Sequence, residues 1–171
     1  MSAALRTLDD VLEKQGWDQP ASLWSFSRSH AGEEFILEAR MVLGGAAFQQ
    51  GHPTDVLAAV ADAAQTRRLP VGDDLVAFVF ATEAWTVVAS VDDEREMMEQ
   101  AADRRIHTHP DRVEVRMLSA VDRAGFRYEH SYARGSGERT EGVYRAGEQG
   151  GGMVLEGDAY ESLERLVEAC A

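Results

Sequence analysis

Residues 112–134, RVEVRMLSAVDRAGFRYEHSYAR, contain two alternating runs of side chains around one turn. In residues 112–122 apolar side chains occupy alternate positions apart from Ser119, which is the period of a β-strand. Residues 122–125, DRAG, supply a turn, and residues 126–134 alternate again. The segment therefore predicts a β-hairpin. Four charged side chains are expected to pair across its solvated face: Glu114, Arg116, Arg127 and Glu129.

Further strands are predicted on both sides of this hairpin. Residues 22–29, SLWSFSRS, and 34–42, EFILEARMV, flank Gly32 and predict a second hairpin. Residues 74–89 are rich in Val, Phe and Trp and predict a central strand followed by a second extended segment. Glu83 interrupts these two segments and is interpreted as a bulge or a tight turn. Glycine-rich residues 135–152 predict a mobile loop with a small edge strand at 142–145.

Four segments have apolar side chains at helical spacing or charged residues typical of a helix start. They are residues 2–15, 53–67, 92–104 and 158–170. Runs of strands between separated helices favour an α+β fold. The expected architecture is an antiparallel or mixed sheet of about five to six strands with helices packed on it, including terminal helices at both ends. No linker divides the chain, so residues 1–171 are interpreted as a single domain.

The charge balance restricts the class of partner. The chain has 30 acidic and 17 basic residues, a net charge of −13, and a pI near 4.7. An acidic surface cannot neutralise phosphate groups, so binding to nucleic acid or to an anionic membrane is disfavoured. The acidic residues are spread along the chain, which favours a role in solubility. The alternative is a surface that mimics DNA or captures a basic partner.

Three observations bear on the compartment. No apolar run approaches about 18 residues, so no membrane span is predicted. Residues 2–15 are amphipathic and contain acids, which is not typical of a secretory signal. The single cysteine, Cys170, allows no disulfide within the chain and fits a reducing compartment. The expected location is the cytoplasm.

The sharpest chemical motif is HTHP at residues 107–110, followed by Ser119 and Asp122. Two histidines two positions apart on an extended segment point to one side and can hold one zinc ion. The motif resembles the JAMM metallopeptidase pattern. That resemblance implies that His107, His109 and Asp122 bind zinc and that Glu83, on an earlier strand, activates the water.

The strand period of residues 112–122 argues against this zinc site. In the JAMM pattern the serine and the aspartate lie on a helix, whereas on a strand Ser119 and Asp122 face opposite ways. The gap of nine residues between His109 and Ser119 is also longer than in that pattern. The alternative is that His107 and His109 end a helix, where histidines favour its dipole, and lead into Pro110.

Two further segments resemble an uncharacterised family of actinobacterial proteins. Residues 16–20, GWDQP, and 22–24, SLW, resemble the GWDQPPRL segment of that family. Residues 109–116, HPDRVEVR, and the turn at 122–125 resemble its HPDRxEVR segment and the hairpin that follows. Ala21 stands where the family often has a second proline. The family brings no assigned activity, but the resemblance implies that HTHPDRVEVR is an entry from helix to strand.

No convergent catalytic set remains, so the leading hypothesis is a non-enzymatic binding or regulatory domain. It would contact another protein or associate with itself, without a cofactor. The first alternative is a zinc-dependent hydrolase of JAMM-like type that uses Glu83, His107, His109 and Asp122. The second is a small-molecule sensor lined by Trp24, Trp85 and Tyr128.

Overall fold

The computed structural model describes residues 1–31, 34–66, 69, 71–87, 106–145 and 157–170. The helices in these ranges are α1 (Ser2–Gln15), α2 (Gly45–Phe48), α3 (Pro53–Ala64) and α4 (Gly157–Ala169), with a short 3-10 turn at Ile106–Thr108. The strands are β1 (Ser22–Ala31), β2 (Glu34–Leu43), β3 (Leu75–Val87), β4 (Arg112–Asp122), β5 (Phe126–Ala133) and β6 (Arg139–Arg145).

The six strands form one sheet in the order β2-β1-β3-β4-β5-β6. Every neighbouring pair is antiparallel, and β1–β2 and β4–β5 are the two predicted hairpins. With helices packed on the sheet and a helix at each end of the chain, the fold is α+β, as predicted. No described helix has both the length and the apolar character needed to cross a membrane.

Helices cover both faces of the sheet, so the chain has two apolar cores. On one face α1 packs against side chains from β1, β3 and β4; this core includes Leu5, Leu8, Leu12, Phe26, Val79 and Leu118. On the other face α3 and α4 pack against the same strands; that core includes Leu57, Leu163, Leu166, Phe78, Phe80 and Val121. Because β3 is buried on both faces, its sequence is almost continuously apolar.

The expected interruption at Glu83 is wrong. β3 is one strand from Leu75 to Val87, and its pairing with β4 runs through Glu83 without a shift, opposite Arg116. The Glu83 carboxylate is half-buried and lies 3.2 Å from the Arg116 guanidinium. This ion pair stabilises the Glu83 carboxylate within a continuous strand. The charge of Glu83 alone had predicted an interruption of the strand.

The expected charge pairing across the β4–β5 hairpin is also wrong. Arg116 is only 2% exposed, because its face of the sheet lies under α1 and is not solvated. In the register of the hairpin Arg127 lies opposite Val121 and Glu129 lies opposite Ser119. Arg127 and Glu129 therefore belong to the α4 face, on the other side of the sheet from Arg116.

Two element boundaries differ from the sequence prediction. Helix α3 ends at Ala64, and Gln65 and Thr66 form a turn after it. β6 begins at Arg139, three residues before the small edge strand that was expected. The helix predicted over residues 92–104 lies outside the described residues.

Candidate functional site

The four residues of the zinc hypothesis lie in separate places. His107 is exposed and His109 half-buried at the entry to β4, where the His109 Nδ1 atom accepts a hydrogen bond of 3.1 Å from the backbone N–H of Asp111. Asp122 lies at the other end of β4. Asp122 is ten positions after Arg112, which corresponds to roughly 33 Å along a strand.

The Asp122 carboxylate shapes the β4–β5 turn. Its Oδ1 atom accepts hydrogen bonds from the backbone N–H groups of Ala124 at 2.9 Å and Phe126 at 3.0 Å. Gly125 has a φ of 79°, which glycine adopts without strain. Asp122 Oδ2 accepts a bond of 2.8 Å from the Tyr128 hydroxyl. Burial, together with this hydrogen bond, raises the pKa of Tyr128 to about 12.

Glu83 takes part in a third, unrelated set of contacts. Its Oε1 atom lies 3.2 Å from Arg116 Nη2, and its Oε2 atom accepts a hydrogen bond of 3.1 Å from the backbone N–H of Gln19. Within the described part of the chain, no group of three or more His, Cys, Asp or Glu side chains could hold a metal ion. The structure therefore does not bring His107, His109, Asp122 and Glu83 together.

The three aromatic residues of the sensor hypothesis do not share one lining. Trp24 is buried in the α1-face core, where it lies opposite Val79 of β3. Trp85 lies six residues further along β3, roughly 20 Å away, and is 39% exposed. The Arg112 guanidinium covers the Trp85 ring at 5.0 Å. Tyr128 is hydrogen-bonded to Asp122 and packs against the same core as Trp24, so of the three aromatic residues it is Trp85 that lies apart.

A buried carboxylate joins α1 to the sheet. The Asp9 side chain is closed to solvent, and three cationic or ionisable groups surround it. His130 Nε2 lies 3.1 Å from Asp9 Oδ2, Arg139 Nε lies 3.5 Å from the same atom, and Arg116 Nη1 lies 3.5 Å from Asp9 Oδ1. On the helix Asp9 shares one face with Leu5 and Leu12, so an acid inside an apolar stripe was the signal that sequence reasoning missed.

The Arg116 guanidinium connects this carboxylate to the chain after α1. Its Nη2 atom donates to the Gly16 carbonyl at 2.7 Å, and its Cζ atom lies 4.7 Å from the Trp17 ring centroid. Among the described residues, three buried side-chain atoms make no hydrogen bond: Asp9 Oδ1, Arg116 Nη1 and His130 Nδ1. We name Asp9, Arg116 and His130 the buried ionic cluster. Because it is enclosed, it fixes the position of α1 and presents no face to a substrate.

A second polar cluster lies on the α4 face. The Tyr160 hydroxyl donates to the Tyr128 carbonyl at 3.1 Å, and the Tyr144 and Tyr160 rings meet edge to face at 5.8 Å. Burial raises the pKa of the Tyr160 hydroxyl and of the Glu129 carboxyl. At the rim, Arg127 Nε donates to Glu164 at 2.7 Å. These contacts link β5, β6 and α4 and have no convergent nucleophile and base.

The outer strand β2 is exposed to solvent along most of its described length. All six residues from 36 to 41 are exposed, although successive side chains of a strand point to opposite faces. They include three large apolar side chains, of which Ile36 is 41% exposed, Leu37 38% and Met41 45%. Among the described strands, only β1 pairs with β2. We name residues 36–41 the β2 edge.

The pairing of β1 explains why both faces are open at Ile36 and Leu37. The pairing of β1 with β3 ends at Ser27 and Leu75, whereas its pairing with β2 continues to Ala31. Beyond Ser27 the two strands form a ribbon with which no third described strand pairs. At the other end the register shifts where Leu23 and Trp24 meet β2, so a bulge limits the regular edge. Alternation in the sequence predicted the strand but not its place at the rim of the sheet.

Comparison with family models, with curated proteins and with solved structures gives no match for this chain. The resemblance to the actinobacterial family stays a prediction, and the function must be inferred from the geometry.

Proposed function

We propose that this chain is a non-enzymatic binding domain that holds a segment of polypeptide, in extended form, along the β2 edge. An outer strand presents unpaired backbone N–H and C=O groups, which an added strand can satisfy. Exposed side chains on both faces of the edge add contacts at alternate positions. The observation that carries the proposal is the exposure of Ile36, Leu37 and Met41 on this strand.

Charge supports a protein partner over a nucleic acid. The net charge of −13 repels polyanions and attracts segments with basic residues near the bound strand. The zinc-hydrolase and sensor alternatives have no comparable support, because the four zinc residues do not converge and Trp85 lies apart from Trp24 and Tyr128. Proteins usually protect long edges with charges, and the β2 edge has one acid and one base, Glu38 and Arg40.

The test places a photo-cross-linking amino acid at Leu37 in the full chain expressed in its own cells. Val143 is the matched control, because it is an exposed apolar residue on β6, at the opposite edge of the sheet. We expect adducts of defined mass from position 37 and none from position 143. Adding Met41→Lys should abolish them, while circular dichroism shows that the variant is folded.

Two results would contradict the proposal. One is the absence of any adduct at position 37. The other is the same set of adducts at positions 37 and 143, or adducts that Met41→Lys does not reduce, because such adducts would not depend on the β2 edge.

A further inference from the structure

The β2 edge is complementary to itself when two copies lie side by side in opposite directions. Directly facing residues of an antiparallel pair lie on the same face of the sheet. A two-fold axis perpendicular to a continuous sheet preserves the face of each side chain. Since faces alternate along a strand, two residues can face each other only if their numbers differ by an even number.

Three such registers centre on the middle of the β2 edge, and charge separates them. An axis through Glu38 brings two glutamates face to face, and an axis through Arg40 brings two arginines face to face. An axis through Ala39 instead places Glu38 opposite Arg40 of the second copy, twice per interface. Like charges directly opposite each other destabilise a sheet, and opposite charges stabilise it.

We propose that the β2 edge binds a second copy of this chain as an antiparallel two-fold dimer centred on Ala39. This inference rests on the proposed function and names its partner. The two sheets become one sheet of twelve strands, six from each copy. Residues Ile36, Glu38 and Arg40 occupy one face of the junction, and Leu37, Ala39 and Met41 occupy the other.

The apolar face of this junction continues the core beneath α1. Ala39 lies opposite Phe26 and Met41 lies opposite Trp24, and both aromatic residues belong to the α1-face core. In the centred register Leu37 faces Met41 of the second copy, so the exposed apolar side chains cover each other. An apolar layer thus extends from one copy into the next.

The same features limit the strength of the dimer. A junction of a few strand residues is smaller than the roughly 800 Å² per partner of a standard interface. Two copies with a net charge of −13 each also repel one another. We therefore expect a reversible dimer whose population depends on concentration.

Charge reversal tests the register directly. Sedimentation equilibrium of the full chain, from about 1 µM to about 1 mM, should show a rise from the 18.8 kDa monomer towards twice that mass. Glu38→Arg and Arg40→Glu should each weaken dimerisation by roughly tenfold or more. The double variant should restore it, because the opposite charges again face each other. Glu138→Arg, an exposed change beside β6, is the control and should have no effect.

A cross-link gives a second, independent test. In a Cys170→Ser background, Ala39→Cys places two thiols on the axis, at a Cα separation of about 4.5–5.5 Å that a disulfide can span. A mild oxidant should link this variant into covalent dimers. It should not link Leu37→Cys, whose two copies lie roughly 13 Å apart along the strands.

A chain that stays monomeric throughout, or a double variant that remains as weak as the single ones, would overturn the dimer. If the position-37 probe then still captures a different protein, the second copy is the wrong partner and the β2 edge remains a binding edge. If the probe captures nothing either, the proposed function fails as well.

Discussion

Asp9 is a charged residue that helps to hold α1 on the sheet. An isolated charge in an apolar core is costly, and it is tolerated only where partners and hydrogen bonds compensate for the lost water. Asp9 has three such partners, Arg116, His130 and Arg139, all from the sheet. The helix is therefore held by a carboxylate as well as by its leucines.

Asp9→Ala should lower the free energy of unfolding by about 3 kcal/mol, the low end of the range for a broken buried ion pair, because the buried Arg116 then keeps Glu83 as its remaining carboxylate contact among the described residues. Asp10→Ala is the matched control: Asp10 is exposed on the same helix and contacts Arg139 at 2.9 Å. Its loss should cost no more than about 1 kcal/mol. Urea unfolding measures both changes, and equal costs for the two variants would show that the buried ionic cluster contributes nothing special.

Glu129 allows a prediction about pH. Burial raises the pKa of its carboxyl above the ordinary value of 4.5. A raised pKa in the folded state means that the contribution of Glu129 to stability is complete below the unfolded pKa and is lost as pH rises through the folded pKa. Glu129→Gln should therefore raise the urea midpoint at about pH 8 and leave it nearly unchanged at about pH 4.

The control for this experiment is Glu161→Gln, because Glu161 is an exposed glutamate on α4. It should leave the midpoint unchanged at both pH values. A Glu129→Gln variant that is less stable than the original chain at about pH 8 would show that the charged carboxylate is stabilising, contrary to the expected sign.

At the scale of elements, the hairpins and the terminal helices could be predicted because their periods are local. Alternation placed β4 and β5 correctly, and the leucine spacing placed α1. Sequence alternation could not predict which face of each strand is buried. A period of two shows that a strand has two different faces, but it does not show which helix covers each face. Arg116 is the clearest case. Its charge predicted a solvated position, whereas in the structure α1 covers it.

The candidate site was less predictable than the fold. The zinc hypothesis relied on the short sequence spacing between His109 and Asp122. The two residues lie at opposite ends of β4, so they are far apart in space. The openness of the β2 edge depends on strand order, which alternation does not encode. Ile36 and Leu37 are adjacent apolar residues, so they point to opposite faces of β2. An ordinary edge strand has one apolar and one polar face, and this pair was the local signal that β2 departs from that pattern.

The β4–β5 turn gives a prediction that separates structure from metal binding. Asp122→Ala removes three hydrogen-bond acceptor contacts, to Ala124, Phe126 and Tyr128. It should lower the free energy of unfolding by about 1–3 kcal/mol, with or without added zinc. His107→Ala should leave the thermal midpoint insensitive to zinc, as in the unaltered chain. If zinc raised the thermal midpoint of the unaltered chain but not that of either variant, the result would support the metal site.

For the whole molecule, the sheet has helices on both faces and open backbone at its rim. The two cores stabilise the fold from within, so association is not needed to complete either of them. In the described part of the chain, β2 and β6 are both edge strands, and β2 differs from β6 in exposing large apolar side chains on both of its faces. A strongly acidic chain with such an apolar edge is consistent with the proposed reversible binding of polypeptide.

Amide hydrogen exchange along β2 tests this claim most directly. In an antiparallel edge strand, alternate N–H groups point away from the neighbouring strand and exchange with water. At about 1 mM chain, or with a captured partner present, we expect alternate amides within residues 36–41 to exchange at least about tenfold more slowly than in dilute protein. The amides of β6 should not change. Unaltered exchange along β2, with new protection elsewhere on the molecule, would contradict a binding role for this edge.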